Sequence, residues 1–193
     1  MSSDKPVVVA YRPDWSERAA AVVSSVAAAL GPVAVRVEHI GSTAIPGMAA
    51  KDVLDVQVAV ASLEVAGREF DAPLGALSFT RSPYESDHIP AGLSDDPANW
   101  AKRLWVRRDQ PTGDVNLHVR RVGSPNERLA LLFRDWFRAH PEAVPAYAAF
   151  KIALAEIAPD IGTYADVKDP VVDLVVTVAE EWSASAGWAP WSS

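Results

Sequence analysis

The chain has 193 residues, of which 49% are hydrophobic and 22% are charged, so its composition excludes disorder as the main state. This length suffices for one well-buried core. Cysteine is absent, which excludes disulfides and any cysteine-based metal site. The net charge of −7 argues against binding of duplex nucleic acid, whereas a local cluster of Arg and Lys can still bind a small anion.

The opening segment MSSDKPVVVA lacks the basic and then apolar run of a signal peptide, and no apolar stretch reaches the length of a membrane span. We therefore expect a cytoplasmic protein with no membrane association. Residues 1–183 are predicted to form a single domain. Residues 184–193, which include Trp188 and Trp191, are predicted to form a loosely held tail.

The first helix is predicted over residues 15–30, an Ala- and Val-rich run that ends before Gly31. Asp14 and Glu17 resemble its capping pair. Residues 33–39 then alternate in the manner of a strand. This alternation predicts three valines on one face: Val33, Val35 and Val37.

The middle of the chain predicts a buried strand, a broken helix and a long loop. Residues 53–60 are β-branched and nearly continuous, which predicts a central strand covered on both faces. A short helix over 62–76 is interrupted near Pro73. Residues 82–99 are rich in Pro, Ser, Asp and Gly, and predict a loop over the site that is mobile until a ligand binds.

The remaining sequence predicts a hairpin and three helices. Strands over 102–107 and 114–122 flank a turn, and helices follow over 125–139, 141–157 and 163–183. The predicted fold class is therefore α/β, with one mixed sheet, flanking helices and a helical C-terminal layer.

The segment from His39 to Gly47 carries the strongest sign of chemistry. Gly41 and Ser42 at a strand end let a phosphate approach the backbone closely, and the Ser42 hydroxyl and nearby amides can donate to its oxygens. Thr43 belongs to the same turn. Lys51 can reach the same phosphate, or it is a surface lysine.

Asp55 lies on a strand whose side chains alternate, so Val53, Asp55 and Gln57 share one face. A carboxylate among so many valines needs a metal, a cation or amide donors. Two roles therefore fit Asp55 equally well. It is either a metal ligand, or a structural residue that accepts hydrogen bonds from the 41–47 loop.

A second group of basic residues follows the long loop. These residues form a phosphate-binding patch, to which we assign Arg107, or they decorate a solvated strand edge. The group consists of Arg103, Arg107, Arg108, Arg120 and Arg121.

These motifs together resemble the GrpB family along nearly the whole chain, and their order and spacing make the resemblance specific. The family tends to have His where Asn116 stands. The matching positions are His39-Ile40-Gly41-Ser42-Thr43, Ile45-Pro46-Gly47, Lys51, Asp55, Asn116-Leu117-His118-Val119, Leu132-Phe133-Arg134-Asp135-Trp136, Ala139-His140-Pro141, Tyr147, Lys151, Tyr164 and Lys168.

The resemblance implies a nucleotidyltransferase-like fold, in which a Gly-Ser turn precedes a strand that bears two metal-binding acids. Asp55 matches the first acid. Gln57 stands at the second and is a poor ligand for Mg²⁺. We therefore expect Mg²⁺ to bind weakly at Asp55, and the substitution Gln57→Asp to tighten its binding several-fold.

Alternation on the strand over 114–122 turns Asn116 and His118 toward this site. We assign Asp55 and His118 as catalytic residues, with His118 as a phosphate contact or general base. A hydrogen-bonded structural role is the alternative for His118. His39, Gln57 and Asn116 complete the predicted phosphate-binding set, although a hydrogen-bonded structural role is the favoured alternative for His39.

By resemblance, the protein binds a nucleotide or another phosphorylated small molecule and, if it is an enzyme, performs Mg²⁺-dependent nucleotidyl transfer. The alternative is a non-catalytic module that supports a protein partner, since the family also occurs fused to some bacterial dephospho-CoA kinases. No Gly-x-x-x-x-Gly-Lys-Ser/Thr loop is present in the chain, so it is not a P-loop kinase by itself.

Overall fold

A computed structural model describes residues 5–108 and 110–190, and these residues form a five-stranded sheet and six α-helices. The strands are β1 (Ala34–Ile40), β2 (Val53–Val60), β3 (Thr80–Arg81), β4 (Lys102–Arg107) and β5 (Asp114–Arg121). The helices are α1 (Asp14–Leu30), α2 (Leu63–Glu69), α3 (Asp71–Ala76), α4 (Pro125–Ala139), α5 (Val144–Ile157) and α6 (Ile161–Ala186).

The sheet has the strand order β1-β2-β5-β4-β3. β2 and β5 run parallel, and every other neighbouring pair is antiparallel. β2 lies inside the sheet between β1 and β5, which matches its β-branched sequence. The predicted mixed α/β class is therefore confirmed.

The two faces of the sheet differ in chemistry because side chains alternate along each strand. Leu54 and Val56 of β2 and Leu117 of β5 are fully buried in a core shared with α1, α2 and α3. The opposite face of the same strands carries Asp55 and His118, and it meets the layer formed by α4, α5 and α6. This alternation places polar groups between the sheet and the C-terminal helices.

The predicted start of α1 is wrong in detail. The helix begins at Asp14 itself, and the residue before it, Pro13, offers no side-chain hydrogen bond. Asp14 instead pairs with Arg12 at 3.0 Å and with Arg18 at 3.3 Å. A one-residue boundary of this kind depends on side-chain partners that composition does not specify.

The alternation predicted for β1 is also wrong at one position. The register of β1 against β2 shifts between Ala34 and Arg36, so the strand bulges there. A bulge inserts one residue and reverses the facing of its neighbours. Val35 is consequently 53% exposed, whereas Val33 and Val37 pack against the core.

The predicted boundary between domain and tail at residue 184 falls inside a helix. α6 continues to Ala186, and Gly187 caps it in a left-handed conformation. Trp188 then donates its indole N–H to Asp135 at 3.2 Å, which holds the segment on α4. Trp191 lies outside the described residues. Within the described ranges, no helix has both the length and the apolar character needed to span a bilayer.

Candidate functional site

A cleft of about 600 Å³ lies between the polar face of the sheet, the C-terminal helices and the 82–99 loop. Seven of the sequence-predicted site residues line it: Gly41, Ser42, Thr43, Lys51, Asp55, Asn116 and His118. Its volume falls within the range of small-molecule sites.

The turn after β1 closes one end of the cleft. Gly41 has φ +70°, and a Cβ placed there would lie 2.5 Å from Oδ2 of Asp55. Only glycine combines this backbone conformation with such a close approach. The next residue, Ser42, accepts a hydrogen bond from Nζ of Lys151 at 2.9 Å. The turn therefore joins β2 to the helical layer.

Asp55 takes its hydrogen bonds from β5. Its Oδ1 accepts from Nδ2 of Asn116 at 2.9 Å and lies 3.4 Å from Nε2 of His118. Burial by itself raises the pKa of this carboxyl, but the hydrogen bonds from His118 and Asn116 and the charge of Lys51 outweigh it. The resulting pKa is below the ordinary value, so Asp55 is ionised at neutral pH.

His118 is the partner of Asp55 on the floor of the cleft. Burial lowers the pKa of its imidazole, and although the hydrogen bond to Asp55 opposes this, the charges of Arg120 and Lys102 lower the pKa further. A neutral imidazole therefore faces the carboxylate. Its other nitrogen, Nδ1, is buried and has no hydrogen-bond partner within the described residues.

Three lysines from separate elements converge on the same end of the cleft: Lys51, Lys151 and Lys168. Lys151 is only 2% exposed, and burial together with the charge of Lys168 lowers its pKa to about 7. Burial likewise lowers the pKa of Lys51, whose Nζ lies 5.6 Å from the centre of the Tyr164 ring. The charge of Lys168 lowers the pKa of both other lysines, and a cluster of cations of this kind forms a site that an anion stabilises.

Asp87, on the 82–99 loop, belongs to the cleft although the sequence offered no sign of it. Its carboxylate accepts from Lys102 at 2.6 Å, from Nε and Nη2 of Arg120 at 2.8 and 3.1 Å, and from Asn126 at 3.0 Å. A loop acid has no periodic pattern, and its partners are distant in sequence. The loop covers the site as predicted, and Asp87 is a point at which it is anchored.

Gln57 does not line the cleft, which corrects its assignment to the phosphate-binding set. The side chain is 1% exposed, and its amide donates to the Glu127 carbonyl at 3.2 Å. Its Oε1 accepts from Nη1 of Arg120 at 2.6 Å. Both ends of the amide are therefore occupied by protein groups.

Arg107 and His39 are also placed apart from the cleft. On β4, Lys102 faces the cleft, so Arg107, five residues on, faces the opposite side, with its guanidinium 5.0 Å from the Phe79 ring centre. Arg107 therefore does not contribute to this site. His39 bonds through Nε2 to Oγ1 of Thr43 at 2.9 Å, an arrangement that fits the structural alternative.

The residues of the cleft do not fit a preformed Mg²⁺ centre. Within 5–108 and 110–190, no group of three or more His, Asp or Glu residues could hold a metal ion. Asp55 lies against the Gly41 turn, and the charge of Lys51 acts on it. Asp87 is already neutralised by two cations. Mg²⁺ relies on several oxygen ligands that are not shared with cations.

Gln57→Asp is now expected to leave metal affinity unchanged, contrary to the expectation from sequence. The new carboxylate would lie beside Arg120 and form an ion pair with it instead of a ligand pair with Asp55. Calorimetric titration of Mn²⁺ into the natural protein and the variant should give equally weak binding. Several-fold tighter binding by the variant would instead support the sequence-based expectation that residue 57 lies beside a metal site.

The fold and cleft define an α/β protein whose polar site lies between a mixed sheet and a helical layer. The model of the GrpB protein family matches residues 5–177, and the chain belongs to this family. The structure is similar to the crystal structure of the conserved protein GrpB from Enterococcus faecalis, with a TM-score of 0.72 and 26% identity. That similarity covers 91% of this chain and 99% of the other.

Curated proteins are similar to the chain over part of their own length. A dephospho-CoA kinase from Mycolicibacterium paratuberculosis is 37% identical over 92% of this chain and 47% of its own length. The UPF0157 protein YqkA from Bacillus subtilis is 30% identical over 92% of this chain and 48% of its own length. The chain thus spans about half the length of these relatives. The resemblance noted in the sequence is confirmed.

Proposed function

We propose that the cleft binds the phosphate group of a nucleotide or another phosphorylated small molecule, with Ser42, Lys51 and Lys151 as its main contacts. The observation that carries this proposal is the buried ammonium of Lys151, 2.9 Å from Ser42 and close to the charge of Lys168. Burying an ammonium beside another cation is unfavourable. An anion bound at this position would offset the cost and accept hydrogen bonds from both Ser42 and Lys151.

Two further functions are compatible with such binding. Nucleotidyl transfer would use His118 as a general base, with Asp55 stabilising the charged imidazole. The non-catalytic module is favoured by one observation: Nδ1 of His118 is buried, and Nε2 faces Asp55. In this conformation one nitrogen is therefore buried and the other is engaged by a carboxylate. We therefore place binding first and treat transfer as the function that requires His118 to move.

The dephospho-CoA kinase relatives support the choice of ligands to screen. The chain matches about half of these proteins and contains no P-loop. A supporting module beside a kinase would bind related phosphorylated compounds or a protein partner. Nucleotides and coenzyme A precursors are therefore the first candidates, and a cytoplasmic location agrees with such substrates.

Ser42→Trp is expected to abolish phosphate and nucleotide binding, because the indole would fill the space between the turn and Lys151. Calorimetry with inorganic phosphate and with nucleotides measures this loss. Ser24→Trp, on the exposed side of α1, is the matched control and should bind normally. Unchanged affinity in Ser42→Trp would show that the ligand, if one binds, lies elsewhere.

A further inference from the structure

We propose that Lys102 and Arg120 form a second anion subsite in the cleft, that the Asp87 carboxylate fills it in this structure, and that a ligand with two separate anionic groups displaces Asp87. This inference rests on the proposed phosphate site, which would hold the first anionic group. It narrows the ligand class from any phosphorylated molecule to one with two charged ends.

The contacts of Asp87 are those of a bound oxyanion. Each carboxylate oxygen has two donors: Oδ1 accepts from Lys102 and from Nη2 of Arg120, and Oδ2 accepts from Nε of Arg120 and from Asn126. Paired guanidinium N–H groups of this kind match carboxylate and phosphate equally well.

The donors are more firmly placed than the acid that they bind. Lys102 and Arg120 are directly opposite each other on β4 and β5, and they are 8% and 6% exposed. Asp87 lies on the 82–99 loop, outside the named strands and helices, where its amide donates to the Trp100 carbonyl at 3.0 Å and the adjacent Ser86 forms an isolated β-bridge with Ala101. If the loop left, two buried cations would remain beside each other, an arrangement that requires another anion. The donors of the subsite therefore belong to the sheet, whereas the carboxylate that occupies it belongs to the loop.

The position of this subsite sets the spacing of the ligand. The proposed phosphate site adjoins the Gly41 turn, which contacts Asp55, and Asp55 pairs with Asn116 on β5. Arg120 follows Asn116 by four residues, so the two backbone positions are roughly 13 Å apart along the strand. His118 lies between the two positions. Two adjacent phosphates are closer together than this, so the spacing favours anionic groups that a linker separates.

A second fastening of the loop provides a matched control. Nε2 of His88 lies 2.8 Å from Oδ1 of Asp173 on α6, and the amide of Ala91 donates to Oδ2 of Asp173 at 2.9 Å. Asp173→Asn would loosen the loop at the neighbouring residue without uncovering Lys102 or Arg120. Asp87→Asn would loosen the loop and also uncover the subsite.

The test measures the affinities of inorganic phosphate and of a series of alkane-α,ω-bisphosphonates for the natural protein and both variants. Asp87→Asn is expected to bind the bisphosphonate of matching length about tenfold more tightly, since it no longer competes with an internal carboxylate, and to leave the phosphate affinity of the first site, at Ser42 and Lys151, unchanged. Asp173→Asn should show no such selective gain. No gain in Asp87→Asn, or an equal gain in Asp173→Asn, would overturn the subsite.

A second measurement uses only the natural protein, so it does not depend on the stability of the variants. This matters because Asp87→Asn leaves two buried cations without their partner. In the natural protein, hydrogen exchange of residues 88–96 should become faster with the bisphosphonate and stay unchanged with phosphate. Slower or unaltered exchange with both would mean that Asp87 is only an anchor. Failure of phosphate itself to bind would instead overturn the proposed function, so the two failures are distinguishable.

Discussion

Lys151→Met is expected to reduce phosphate affinity by about 100-fold or more, because it removes a buried, hydrogen-bonded cation from the site. Methionine keeps most of the side-chain volume, so the packing against Tyr147 should survive. The free protein should also become more stable at pH 7, by on the order of 1–3 kcal/mol, since a buried ammonium is replaced by an apolar group. Lys151→Met is thus expected to lower phosphate affinity and to raise the free energy of unfolding. These opposite effects distinguish a binding residue from one that only stabilises the fold.

The pH dependence of the free energy of unfolding provides a second measurement of the same effect. The pKa of Lys151 is lowered from 10.5 to about 7, so between these values the unfolded chain holds a proton that the folded chain lacks. The free energy of unfolding of the natural protein should therefore rise across this window as pH increases. The stability advantage of Lys151→Met should be largest below pH 7 and shrink toward pH 10.5.

Calorimetry near pH 8 completes the test, because a bound anion favours the charged lysine. Phosphate binding by the natural protein should take up protons, seen as a dependence of the heat on the buffer's ionisation enthalpy. Lys5→Met, which changes an exposed lysine, is the control and should preserve both affinity and proton uptake. Full affinity in Lys151→Met would remove Lys151 from the site.

The elements and half of the cleft were predictable because they depend on local patterns. The β-branched run defined β2 to the residue, and period-two alternation placed Asp55, Asn116 and His118 on one face. A Gly-Ser pair at a strand end indicated the turn. Each of these inferences uses residues that are neighbours in the chain or in one strand.

The other half depends on contacts between distant segments. Lys151 meets Ser42 across 109 positions, and Asp87 meets Arg120 across 33. Arg107 was misplaced because a run of basic residues does not reveal which alternate positions of β4 face the cleft. Gln57 was misplaced because its partners, Glu127 and Arg120, decide its environment. The tertiary fold decides which face of the sheet a side chain lies on and which groups it contacts.

Gly41→Ala is expected to destabilise the protein more than any other single methyl group added to the cleft. A residue with a side chain at φ +70° is strained by about 1–3 kcal/mol before any contact is considered. The added Cβ would also lie 2.5 Å from Oδ2 and 3.0 Å from Cβ of Asp55. Asp55 would have to rotate away, which would break its hydrogen bond from Asn116 and its contact with His118. Phosphate affinity should therefore fall together with stability.

Gly31→Ala separates these two causes. Gly31 has φ +56° and a backbone conformation similar to that of Gly41, but a Cβ there would meet no atom within 4 Å. Its substitution should cost only the backbone strain, and urea unfolding of both variants measures the difference. We expect Gly41→Ala to lose roughly 1–3 kcal/mol more than Gly31→Ala, the usual penalty for overpacking. Equal losses, with phosphate affinity intact in both, would show that Asp55 yields without strain and that its contact with the turn does not shape the site.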